Sequence, residues 1–106
     1  MPNVVAIANG HVALKLGLTG IFVEHASDVH QAQESLVKNL EGDADVLVIQ
    51  DEFRDQFSEW HKEQLRRHRG TPLVVFCPSF SEENSNVDAY ISAVLKPAIG
   101  YEIRLD

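Results

Sequence analysis

The sequence predicts an α/β fold, a small four-stranded parallel sheet flanked by helices and followed by a C-terminal amphipathic helix. Three observations lead there. Four short apolar runs rich in β-branched residues recur along the chain, and they are continuous rather than alternating, as strands covered on both faces of a parallel sheet are. Stretches with helical periodicity separate them. The length, 106 residues, suits one hydrophobic core.

The first run is Val4-Val5-Ala6-Ile7. Residues 9–20 then leave little room for a crossover, and a short, glycine-rich helix is expected over about 12–16. Gly17-Leu18-Thr19-Gly20 reads as a turn ahead of the second run, Ile21-Phe22-Val23. Over residues 27–41 the positions Val29, Ala32, Leu36, Val37 and Leu40 form one helical stripe, with Ser27 placed to cap its start and Gly42 to supply a left-handed stop. The third run is Val46-Leu47-Val48-Ile49. One long helix is expected over about 52–68, with Asp51 as its cap. Phe53, Phe57, Trp60 and Leu65 form its apolar side, of which Phe53, Phe57 and Trp60 read as core, and Gly70 with Pro72 ends it. The fourth run, Leu73-Val74-Val75-Phe76, precedes a polar stretch at 79–86. A last helix is expected over about 87–98, with Val87, Tyr90, Ile91, Val94, Leu95 and Ala98 as its stripe and Ser85 with Asp88 as a capping box. The order β-α-β-α-β-α-β-α gives a receiver- or flavodoxin-like arrangement. The expected organisation is a sheet domain at 1–78, a hinge at 79–86, and a C-terminal helix and tail at 87–106.

Composition narrows the function. A net charge of −7 argues against nucleic-acid binding, which needs a cationic face. The basic cluster Arg66, Arg67, His68 and Arg69 falls at a helix end, where cations complement the dipole. No apolar run approaches the roughly 18 residues of a membrane span, and the first residues lack the pattern of a signal peptide. The lone Cys77 fits a reducing compartment. The expectation is a cytoplasmic chain without direct membrane insertion.

Ligands of open α/β sheets bind beyond the carboxyl ends of the strands. Those positions hold Asn9, Gly10 and His11, Glu24 and His25, Gln50, Asp51 and Glu52, and Pro78 and Ser79. Gly10 stands alone, and no phosphate-cradling GxxxxGK[ST] occurs. The five histidines include no pair at i,i+4, and one cysteine does not complete a zinc site. Asp51 and the pair Lys96-Pro97 suggest a phospho-receiver, but the segment after the first strand offers no carboxylate for Mg²⁺. No catalytic residue, cofactor or metal is therefore expected, and the chain reads as a protein-binding module. One reading is a free-standing receiver-like regulatory adaptor without phosphotransfer.

The other reading rests on the tail. Val87-Asp88-Ala89-Tyr90-Ile91, followed by Ala98-Ile99-Gly100-Tyr101-Glu102-Ile103-Arg104-Leu105, resembles the C-terminus of the small, non-catalytic central-stalk subunit of the archaeal-type and vacuolar-type (A/V-type) rotary ATPases. Leu16-Gly17-Leu18-Thr19-Gly20-Ile21 and Thr71-Pro72-Leu73-Val74-Val75-Phe76-Cys77-Pro78 are similar to that family's segments before the second strand and through the fourth. Gly17 stands where the family usually has arginine, the Gly-Asp after the first strand is absent, and Pro97 interrupts the last helix. The resemblance implies a rotor subunit, peripheral to the membrane, that grips the coiled-coil stalk subunit inside the catalytic A/B ring. It would couple ATP synthesis or hydrolysis to H⁺ or Na⁺ transport. Helix-in-groove docking would fall to Tyr90, Ile91, Val94, Leu95, Ile99, Gly100, Tyr101 and Ile103; the alternative reading is that the stripe closes one face of the chain's own sheet.

Overall fold

The computed structural model describes residues 3–78. The expected hinge at 79–86 and the helix and tail at 87–106 lie outside the described residues. The elements run β1 (Val4–Ala8), α1 (Gly10–Leu18), β2 (Phe22–His25), α2 (Val29–Leu40), β3 (Val46–Gln50), α3 (Asp51–Arg54), α4 (Glu59–Arg67) and β4 (Leu73–Cys77). The strands form one all-parallel sheet in the order β2-β1-β3-β4. The α/β class expected from the runs is the class observed.

Alternation along each strand divides the core between two faces. Val5, Ile7, Leu47 and Ile49 meet Ala32 and Leu36 of α2, together with Phe53 and Phe57. Ala6, Ala8, Val46, Val48 and Cys77 form the other face, under Val12, Ala13 and Leu16 of α1. Small side chains at Ala6 and Ala8 let α1 lie close to β1. Burying a side chain such as Leu47 or Ile49 contributes about 1.5–3 kcal/mol, and both are fully enclosed. The central strands β1 and β3 are covered on both faces, as their continuous apolar runs require. The edge strands are not: Phe22 is 64% exposed and Leu73 45%.

Several local expectations are corrected. α1 spans nine residues rather than five, because Gly10 takes φ 54° and starts the helix immediately after β1. Its end is the expected turn, with Thr19 Oγ1 donating to the Leu16 carbonyl at 2.6 Å and Gly20 at φ 93°. α2 is capped by Asp28, not Ser27, and the Asp28 carboxylate accepts from the Gln31 N–H at 3.0 Å. Ser27 instead donates its N–H to the Gln31 side chain at 2.7 Å, so the two caps interlock. Gly42 has no positive φ. A Cβ there would stand 3.2 Å from the Lys38 carbonyl oxygen, so close approach, not handedness, favours glycine.

The largest correction is the helix expected over 52–68, which is two helices. The N–H groups of Gln56 and Phe57 both bond the Phe53 carbonyl, closing α3. Ser58 then takes extended backbone and caps α4, its hydroxyl accepting from the His61 N–H at 3.2 Å. The Ser58 N–H is satisfied by Gln33 of α2 at 2.8 Å. Past the break Trp60 stands 56% exposed, while Phe53 and Phe57 enter the core as expected. Beyond α4, Arg69 donates to the carbonyls of Arg66 and His68, the helix-end role read for the basic cluster. Among the described residues no helix is long and apolar enough to cross a membrane.

Candidate functional site

With this strand order, successive connections run to opposite sides from β1 and β3, and the crevice beyond their carboxyl ends is the place where such sheets hold ligands. Asn9 leaves β1 with extended backbone. Its N–H donates to Gln50 Oε1 at 2.9 Å, and its side-chain amide donates to the Ala26 carbonyl at 3.0 Å. Gln50, the last residue of β3, is buried, and its Nε2 donates to Glu52 Oε1 at 2.6 Å. A run of amides therefore ties the ends of β1 and β3 to the start of α3 and spans the crevice with the chain's own side chains. Gly10 opens α1 beside it, and His11 and His25 stand exposed around it.

This geometry separates two residues that the sequence left adjacent in role. Gln50, a neutral amide, holds the buried strand-end position. Asp51 is neither the last strand residue nor a helix cap. It is the first residue of α3, exposed, with Oδ1 3.6 Å from Arg54 Nη1. An acyl-phosphate site needs a strand-end carboxylate beside acidic metal ligands, and the amide at Gln50 supplies neither charge nor nucleophile. Among the described residues no group of three or more His, Cys, Asp or Glu side chains is placed to hold a metal ion.

Away from the strand ends, two surface features involve shifted acidities. Glu63 accepts from Arg66 at 2.7 and 3.0 Å and from Arg67 at 2.9 Å, and these bonds, Arg66 first, hold its carboxyl below the usual range. Partial burial pushes the His61 imidazole below its ordinary value. Its Nδ1 lies 2.6 Å from Ser58 Oγ, and the Trp60 ring stands edge-on at 4.9 Å between centroids. A cavity of about 590 Å³ runs beside this group, lined by His30, Gln33, Glu34, Val37, Lys38 and His61. A second, of about 380 Å³, lies against β4 between Arg54, Lys62, Arg66 and Phe76, with Arg54 stacked on Phe76 at 4.7 Å.

The expected partner-binding residues Tyr90, Ile91, Val94, Leu95, Ile99, Gly100, Tyr101 and Ile103 all lie outside the described residues. Two features were missed in the sequence. The structural role of Gln50 had no signal, because a lone glutamine after an apolar run marks a strand end and nothing more. The Ser58 cap had one: a serine followed by Glu59 opens a helix as readily as it continues one. No protein-family model matches the chain, and no sequence match was found among the proteins compared with it.

Proposed function

We propose that the chain is a non-catalytic central-stalk subunit of an archaeal-type or vacuolar-type rotary ATPase. It binds the coiled-coil stalk subunit within the A/B ring and tunes the coupling of ATP chemistry to H⁺ or Na⁺ movement. The observation that carries this reading is the tail Ala98-Ile99-Gly100-Tyr101-Glu102-Ile103, with its resemblance to the ending of that stalk family. The parallel four-stranded sheet is compatible with it, and so is a strand-end crevice spanned by Asn9 and Gln50 rather than built around a nucleophile. The competing adaptor reading draws on the same strand order and on Asp51 directly after β3.

Co-expression with the coiled-coil stalk subunit tests the proposal. A stoichiometric complex that survives gel filtration is expected. It should be lost when Ile91 and Leu95 are both changed to Asp, with the sheet domain's melting unchanged. Failure to form any complex with the coiled coil would overturn the stalk reading. Stoichiometric phosphorylation of Asp51 by acyl-phosphate donors, read by intact mass, would favour a receiver.

A further inference from the structure

One face of the sheet is closed beyond the reach of the helix described on it. Alternation sends Val46 and Val48 of β3, with Val75 and Cys77 of β4, to the α1 side. Val46 is 1% exposed, and Val48 and Cys77 are fully enclosed. Among the described residues α1 is the one helix packed on this side, since α2, Phe53 of α3 and Leu65 of α4 belong to the other. α1 is held over β1 and β2, because it starts directly after the first and ends shortly before the second. A helix is about 10–12 Å across and strands lie about 4.8 Å apart, so α1 roofs roughly half of the sheet. Cys77 sits on β4, two strands beyond β1 and so about 10 Å away. Its enclosure needs a second roof.

We infer that residues 87–98 form that roof, docked as an amphipathic helix on β3 and the carboxyl end of β4, beside α1. The enclosure exists within the single chain, so its cover is the chain's own. Met1 and Pro2 are too few to supply it, which leaves residues 79–106. That length of chain leaves β4 at its carboxyl end, next to Cys77 itself. Residues 79–86 reach up to about 28 Å when extended, ample to turn back over the neighbouring strand. Residues 87–98 span about 18 Å as a helix, and the five residues of β3 about 16 Å, so one helix covers that strand from end to end. The stripe Val87, Tyr90, Ile91, Val94, Leu95 and Ala98 supplies the apolar side that Val46, Val48 and Val75 require.

The extent of the roof is also marked. Leu73, at the outer corner of the same face, keeps 45% exposure, which sets the helix nearer β3 than the free edge of β4. This docking rests on packing alone, whether or not the chain also serves a rotary stalk. A coiled coil that takes the same stripe must displace it from the sheet.

Cys77 reports on the roof, because it is the only cysteine and lies beneath it. Its modification by a soluble aromatic disulfide reagent, under native conditions, is expected to be slow in the full chain. Truncation after Asn84 should speed the reaction about tenfold or more by opening this face, with amide exchange showing β1 and β3 still protected. The full chain carrying Ile91→Asp and Leu95→Asp should behave likewise, and it decides the matter if the truncated chain does not fold. In the isolated wild-type chain the amides over 87–98 should exchange slowly. A folded truncated chain or double variant whose Cys77 reacts as slowly as the wild type overturns the inference. So does a wild-type chain whose amides over 87–98 exchange as fast as those of an unfolded peptide.

Discussion

Gln50 shows how one side chain sets the chemistry of a strand end. It accepts from the Asn9 N–H and donates to Glu52 while itself almost wholly enclosed, so its removal leaves the half-buried Asn9 N–H without this partner. Gln50→Ala should cost about 1–3 kcal/mol, read as a lower urea midpoint with an unchanged slope. His61 makes a pH-dependent contribution whose sign is fixed. Its imidazole is held below the ordinary histidine value of about 6.5, so the unfolded chain binds the proton more readily. Stability from this group is full above the ordinary value and falls as pH drops through it toward the lowered one. His61→Gln should remove that dependence from melting curves taken across about pH 7 to 5, and the change should be small because the ring is only partly buried. Glu63 works in the same direction at lower pH, since its depressed carboxyl loses its arginine bonds on protonation.

The elements follow from spacing wherever a stripe meets a buried face and depart from it where a cap intervenes. α4 begins because Ser58 satisfies the His61 N–H, and Ser58→Ala should destabilise the domain by about 1 kcal/mol. Ser58→Asp should retain most of that stability, which separates capping from packing. Most of the sheet was legible in the sequence: the continuous β-branched runs mark all four strands, and β1 and β3 are covered on both faces as such runs suggest. The edge strands were less so, because Phe22 and Leu73 occur in runs of the same kind, and no composition rule says which strand is outermost. The split of α3 from α4 escaped for a different reason. Phe53, Phe57 and Trp60 lie at helical spacing, and periodicity carries no phase information across a two-helix junction. Of the candidate site, the sequence showed which residues follow each strand, whereas the amide bridge from Asn9 to Gln50 depends on two strands meeting and has no local signature.

At the scale of the molecule, the described core consists of the sheet and the helices packed on its two faces. Among the described residues two core clusters lie within 3–78, and truncation after Asn84 keeps every described element. Such a chain is expected to melt cooperatively, and on the stalk reading it should lose its hold on the coiled coil. An unfolded product would show instead that the tail is part of the core. Leu47→Ala, at the centre of the α2 face, should cost about 2–5 kcal/mol through the cavity it leaves, and circular dichroism melts of the full chain would show it.

The outward turn of Trp60 has an optical consequence. It is the only tryptophan in the chain, so intrinsic emission reports on the α4 surface and not on the buried sheet. Its indole sits against His61, and a protonated imidazole quenches indole fluorescence by contact. The emission of the folded chain should therefore dim as pH falls through the lowered His61 value, without a matching change in circular dichroism, and His61→Gln should abolish the dimming.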